Sequence, residues 1–241
     1  MKVVAIIQAR MGSSRLPGKV LKDLAGEPML SRVIHRVQRA STVDQVIVAT
    51  TTEVMDHAIA ALGEREGWSV FRGSQDDVLD RYYHAALAHQ AEVVVRITSD
   101  CPLIDPDVID QVVGRFLAEG KWDYASNVLP IRTFPRGLDI EVMTFAALHR
   151  AWQEDQDSAW REHVTPYLYR HPEWFTCGSV TNTEDLSESR WTVDTPEDYE
   201  FAQRIYDHFG HDHFSWREVL ALLKQHPEWQ TINRHIEQKV L

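Results

Sequence analysis

Three groups of residues in this chain have the types and spacing to do chemistry. The densest is the run Gln8-Ala-Arg-Met-Gly-Ser-Ser-Arg-Leu-Pro-Gly-Lys19. Arg10, Arg15 and Lys19 bring three cations into one loop, Gly12 lets backbone N–H groups turn inward, and Ser13 and Ser14 add hydroxyl donors. Such a set suits a triphosphate, whose oxygens accept charge-assisted hydrogen bonds. It matches neither the P-loop nor the dinucleotide fingerprint. A glycine-rich turn with solvated arginines would explain any shorter piece of the run, but explains the whole poorly. The second group is a pair of carboxylates, Asp100 and Asp194, each directly after an apolar stretch. Hard divalent cations such as Mg²⁺ prefer oxygen ligands and are commonly held by one or two carboxylates plus substrate phosphates. Each acid also has a plain structural reading: Asp100 as a turn residue before Pro102, Asp194 as part of the helix start Asp-Thr-Pro-Glu. Thr195 fills that cap, which leaves Asp194 free of it. The third group lies in Pro135-Arg-Gly-Leu-Asp-Ile-Glu141 and Arg161-Glu-His163. Asp139 and Glu141 stand two residues apart, on one face of a strand. That spacing suits sugar hydroxyls, and an exposed strand face explains it too. Arg136 could meet an acceptor carboxylate, while His163 stays open between a structural role and a site role.

The elements that must position these groups follow from apolar periodicity. Val3–Ile7, Val46–Thr50, Val70–Phe71 and Val93–Thr98 read as buried strands. Helices are expected around Leu30–Val37, through Ile59 and Leu62, over Asp77–Gln90, and from Asp107 through Phe116. The β-α alternation predicts an α/β fold with a mostly parallel sheet covered on both faces. The first run then lies at the carboxyl end of the first strand, where such sheets bind ligands. Farther on, strands are expected near Tyr124, over Leu138–Met143, Phe175–Val180 and Trp191–Val193. Helices are expected over Phe145–Gln153, His163–Arg170 and Pro196–His208, with a last one opened by a capping box of Ser215 and Glu218. No low-complexity linker appears, so residues 1–241 are read as one domain. A nucleotide-binding half covers 1–120, an acceptor-binding half 121–210, and a helical extension 211–241. His-Pro-Glu-Trp occurs at 171 and 226 as a helix stop, not as a repeat.

Composition sets bounds. With 44% hydrophobic and 25% charged residues the chain reads as an ordinary soluble globular protein. A net charge of −11 argues against a nucleic-acid reader, which needs a basic face. Cys101 and Cys177 fit no zinc or redox spacing and read as reduced thiols. The first apolar run is too short for a signal peptide or membrane span, so a cytoplasmic protein is expected. Asp105-Pro-Asp107 has the D-x-D form of a metal site but is better explained as a helix cap with a first-turn proline. His208-Phe-Gly-His-Asp-His213 reads as a solvated turn.

The first run resembles the nucleotide-binding signature of the cytidylyltransferases that make CMP-sugars, such as CMP-Kdo synthetase and acylneuraminate cytidylyltransferase. The chain is most similar to the spore-coat polysaccharide branch. Supporting segments are Phe71-Arg-Gly-Ser-Gln-Asp-Asp-Val-Leu79, Arg96-Ile-Thr-Ser-Asp-Cys-Pro-Leu103, Pro135–Glu141, Arg161-Glu-His-Val-Thr165 and Thr192-Val-Asp-Thr-Pro-Glu-Asp198. The resemblance implies a Rossmann-like mixed sheet of the glycosyltransferase-A type, with an excursion in the second half that in relatives also makes a dimer interface. It implies that Gln8, Ala9, Arg10, Gly12, Ser13, Ser14, Arg15, Lys19 and Thr98 bind nucleotide, and that Asp100 and Asp194 hold Mg²⁺. Arg72, Ser74 and Asp77 would help hold cytosine and ribose, although Asp77 could equally cap the next helix. Arg136, Asp139, Glu141 and His163 would face the acceptor. The implied reaction is attack of an acidic sugar's hydroxyl, or that of a similar small acceptor, on the α-phosphorus of CTP, expelling pyrophosphate. Other readings stay open: transfer to a phosphorylated acceptor, a glycosyltransferase of the same fold, and a nucleotide-binding regulator without turnover.

Overall fold

A computed structural model describes residues 1–238. Strand β1 (Val3–Gln8) is buried on both faces, with Val3, Ala5 and Ile7 in one apolar cluster and Val4 and Ile6 in another. Continuous Val and Ile suit that position, because neither face meets water. A small hairpin, β2 (Asp23–Leu24) with β3 (Glu27–Pro28), leads into α1 (Met29–Gln38). Then follow β4 (Gln45–Thr51), α2 (His57–Glu66), β5 (Ser69–Gly73), α3 (Val78–Ala88), β6 (Val93–Thr98) and α4 (Pro106–Glu119). The second half supplies β7 (Tyr124–Ser126), β8 (Glu141–Thr144), α5 (Phe145–Glu154), α6 (Ser158–His163), α7 (Pro166–Tyr169), β9 (Cys177–Ser179), α8 (Pro196–Phe209) and α9 (Trp216–Gln225).

All strands but the hairpin join one seven-stranded sheet, in the order β5-β4-β1-β6-β8-β7-β9. β4, β1 and β6 are parallel neighbours, whereas β8 runs antiparallel to both β6 and β7. From β1 the chain moves outward through β4 to β5, then returns to place β6 on the opposite side of β1. The strand order thus reverses at β1, and the carboxyl ends of β1 and β6 lie side by side at the edge of the sheet where such folds bind ligands. The fold is the mixed, mostly parallel α/β architecture expected from the sequence. One face is covered by α1, α4, α8 and α9, the other by α3, α5 and α7.

Caps fall where the sequence places them. Asp105 caps α4 by accepting from Asp107 N with Pro106 in the first turn, and Ser215 and Glu218 close a reciprocal capping box on α9. Two expected elements differ. The helix over His163–Arg170 is split, because buried Val164 adopts φ +70° between α6 and α7. Pro166 adds a missing N–H, so one helix cannot run through. Trp191–Val193 forms no strand. It is an extended segment pinned between two loops: Trp191 N donates to Arg136 O (2.7 Å) and Val193 N to Asp100 O (2.8 Å). Gly137, at φ +108°, permits this approach, since a Cβ there would lie 2.7 Å from the backbone of Trp191 and Thr192.

Candidate active site

Beyond the carboxyl ends of β1 and β6 lies a cleft of about 650 Å³. Gln8, Ala9, Arg10, Gly12, Ser13, Ser14, Arg15, Lys19, Thr98, Asp100, His163 and Asp194 all line it. The loop after β1 is held by its own backbone and by one acid. Met11 N donates to Asp56 Oδ1 (2.7 Å), Gly18 N to Met11 O (3.2 Å), and Leu16 N to Ser13 Oγ (3.4 Å). Its cationic side chains are thereby turned toward the ends of the central strands.

The pinned segment decides where Asp194 stands. Because Val193 N is bonded to Asp100 O, the two acids separated by 94 positions become neighbours. The buried Lys19 ammonium sits between them, 3.1 Å from Asp100 Oδ2 and 2.9 Å from Asp194 Oδ1. It also donates to Val193 O at 2.8 Å. Burial pulls the lysine toward neutrality, but the charges of Asp100 and Asp194 outweigh it and hold its pKa above the ordinary value. Burial likewise pushes the Asp100 carboxyl up, while Lys19 and the Thr98 hydroxyl overcome this and keep it below the usual range. Asp194 carries two further cations, Arg15 at 2.9 Å and Arg190 at 3.2 Å. Thr195 caps α8 and exchanges a capping box with Asp198, so Asp194 serves these ion pairs and not the helix start.

The arrangement fits a divalent cation. One ammonium already bridges both carboxylates, so a single positive centre can be shared by them. Among the described residues no cluster of three or more His, Cys, Asp or Glu side chains is present. Substrate oxygens and water would have to complete the shell, as Mg²⁺ commonly requires. The lining balances Arg10, Arg15, Lys19 and Arg81 against Asp100, Glu162 and Asp194. One surplus positive charge is too little for a triphosphate, which leaves room for further cationic charge.

Other residues expected at the site lie elsewhere. Arg72 clamps the loop after β4, donating to Thr51 O (2.9 Å) and Glu53 O (3.0 Å). Ser74 accepts from Asp77 N (3.1 Å), and Asp77 caps α3 through Asp80 N (2.8 Å) while pairing with Arg161 at 2.8 Å. Of the two readings of Asp77, capping is the one its contacts satisfy. Glu141 and Asp139 are also outside the cleft lining. Glu141 is buried, paired with Arg96, and accepts from Tyr124 Oη and Thr165 Oγ1, both at 2.6 Å. Asp139 precedes β8 instead of sharing its face and is paired with Arg132. Their oxygens are committed within the protein, to Arg96, Tyr124, Thr165 and Arg132. Arg136, half-buried, makes no ion pair among the described residues. Burial and then neighbouring Arg132 lower its pKa.

The sequence reading missed Arg81, Glu162, Arg190 and Gln238. Arg81 looks like any helical arginine, yet it is 2% exposed at the cleft, and no described carboxylate pairs with it. Its Nε is buried without a partner among the described residues, and burial lowers its pKa. Nothing local in the sequence marks it, because its place depends on how α3 crosses the cleft.

With this geometry established, comparisons with known proteins place the chain. A model of the cytidylyltransferase family matches residues 4–226. The spore coat polysaccharide biosynthesis protein SpsF of Bacillus subtilis is 33% identical over 240 residues, covering 95% of this chain and 97% of that protein. A 3-deoxy-manno-octulosonate cytidylyltransferase of Anaeromyxobacter dehalogenans is 32% identical over 239 residues, covering 84% and 97%. A solved cytidylyltransferase structure from Leptospira borgpetersenii superposes with a TM-score of 0.91 at 35% identity, over all of both chains. The chain belongs to the cytidylyltransferase family, and so to the nucleotidyltransferase enzymes. No described helix is long and apolar enough to cross a membrane.

Proposed function

We propose that this enzyme transfers CMP from CTP to the hydroxyl of an acidic sugar or a similar small acceptor. The new bond joins the acceptor oxygen to the α-phosphorus, the bond to the β-phosphate bridge breaks, pyrophosphate leaves with its electron pair, and the hydroxyl proton is released to solvent. The single observation behind this reading is one cleft lined by Arg10, Arg15 and Lys19 together with the Asp100–Asp194 pair, which Lys19 bridges. The loop cations bind the triphosphate and neutralise the leaving pyrophosphate, a transfer in which positioning and charge do most of the work. Asp100 and Asp194 would hold Mg²⁺, which when bound polarises phosphate oxygens and can lower the pKa of a hydroxyl. Lys19 must give up at least one carboxylate for this, and the triphosphate offers its ammonium new partners. No serine or cysteine nucleophile is required: Cys101 is buried, and burial followed by the Asp100 charge raises its thiol pKa.

On the acceptor side, Arg136 and His163 remain suited to an anionic group, since neither is ion-paired among the described residues. The test is a pyrophosphate-release screen of four nucleoside triphosphates against a panel of acidic sugars, with and without Mg²⁺. Release with CTP and one acidic sugar is expected. Release only with a phosphorylated acceptor, or none with any triphosphate, overturns the reading.

A further inference from the structure

The segment after α9 reaches back into the cleft although the match to the family model ends at residue 226. Asn233, 2% exposed, anchors it by donating to Arg190 O (3.0 Å) and to Asp198 Oδ1 (2.9 Å). Arg190 is itself fixed, with Nε and Nη2 on the two oxygens of buried Asp198, both at 2.8 Å, and Nη2 on Asp194 at 3.2 Å. Its remaining Nη1 donates to Gln238 Oε1 at 2.7 Å. Gln238 lines the cleft on the side of Asp194 and Arg15.

This contact settles which way the Gln238 amide faces. A guanidinium has donors only, so the group turned to Arg190 must be the amide oxygen. The amide nitrogen is then directed away from Arg190, and no described residue accepts from it. A neutral N–H pair is thus presented at the cleft rim beside Asp194, oriented by an arginine that two buried side chains hold in place. Arg10, Arg15 and Lys19 in the cleft are engaged with carboxylates, whereas this donor is not.

Resting on the cytidylyltransferase reading above, we propose that Gln238 is a substrate-binding residue. Its amide nitrogen donates to an anionic oxygen at the Asp194 end of the cleft, belonging either to the polyphosphate of CTP or to the acceptor's acid group. Asn233 and Arg190 are positioning residues for it. The segment beyond the family match is therefore part of the site and a place where related enzymes can differ in substrate preference.

Two substitutions separate binding from bracing. Gln238→Ala removes both the contact to Arg190 and the donor. Gln238→Glu keeps an acceptor for Arg190 but turns a negative oxygen on the substrate. Position 238 is exposed, so neither change should unfold the protein. CTP affinity is measured by calorimetry without acceptor, and acceptor KM with the sugar identified by the pyrophosphate screen. Gln238→Ala should weaken one of the two by roughly threefold to tenfold, the worth of one hydrogen bond, and Gln238→Glu should weaken the same one further. A change in CTP affinity assigns the oxygen to the polyphosphate; a change in acceptor KM alone assigns it to the acceptor. Wild-type values for both variants, or full rescue by Gln238→Glu, overturn the assignment and leave Gln238 a brace at most. Failure of wild-type protein to bind CTP at all would instead defeat the functional reading, and this inference with it.

Discussion

The loop after β1 and the approach to β8 carry similar densities of charged residues, and the fold uses them in opposite ways. Around β1, Lys19 bridges Asp100 and Asp194, Arg15 pairs with Asp194 and Arg10 with Glu162, all lining an open cleft. Around β8, Glu141 and Asp139 are taken up by Arg96, Tyr124, Thr165 and Arg132. The first region keeps charge available for a ligand, while the second spends it on holding β6, β7 and α7 together. A charged motif signals a binding site when its ion pairs line an open cleft, where a ligand can exchange with them, and not when they are closed into the packing.

The strongest test of this contrast is removal of an acid from the cleft. Asp100→Asn and Asp194→Asn should each lower kcat by roughly a thousandfold or more, the worth of several kcal/mol of lost cation-assisted stabilisation. Circular dichroism and denaturant midpoints should stay near wild type, because asparagine keeps the shape and Lys19 retains its other carboxylate. Near-normal turnover at saturating Mg²⁺ would remove these residues from the chemistry.

The reverse pattern is expected at β8. Glu141→Gln places an amide N–H against the largely buried Arg96, leaving that guanidinium without its counter-charge. Breaking a buried pair on one side typically costs about 3–5 kcal/mol, so the urea midpoint should fall clearly. Acceptor KM and CTP affinity of the folded fraction should be unchanged. A raised acceptor KM with unaltered stability would return Glu141 to the acceptor site and erase the contrast.

These two regions also show what a sequence can carry. β1, β4 and β6 were legible because unbroken runs of Val and Ile have little alternative to a strand buried on both faces. The cleft loop was legible because it directly follows such a strand. Position 194 was legible as a carboxylate after an apolar stretch, but its neighbour was not, since Val193 meets Asp100 through a backbone hydrogen bond outside any strand pair. The pairing of Glu141 with Thr165 depends on the break at Val164, whose left-handed backbone no local pattern announces. Arg81 and Gln238 enter the cleft only through the packing of α3 and of the segment after α9.

Within the cleft, Arg15→Ala should have a smaller effect than loss of an acid. Arg15 is partly exposed and pairs with Asp194 at 2.9 Å, so it can swing to a triphosphate without stranding a buried charge. Charge-assisted contacts contribute about 1.5–3 kcal/mol, and CTP affinity by calorimetry should weaken accordingly. Unchanged affinity would make the loop a structural feature and weaken the contrast from its other side.

The smallest effect, and the one that sharpens the boundary between the regions, concerns His163. It belongs to the second half in sequence but lines the cleft. Burial, then Arg96 and Arg10, lower its pKa from the ordinary 6.5 against the pull of Glu162 and Glu141. A lowered pKa means that the folded state favours the neutral ring. Its contribution to stability is complete above the unfolded value and falls as pH drops from about 6.5 through the folded pKa. A proton NMR titration of the imidazole should therefore show a midpoint below 6.5 in the free protein, and His163→Gln should flatten the stability profile in that window. Adding CTP supplies negative charge, which favours the protonated ring and raises the midpoint if His163 faces the triphosphate. If CTP leaves the midpoint unmoved and an acidic acceptor raises it, His163 is read by the acceptor instead, and the line between the two halves runs through the cleft itself.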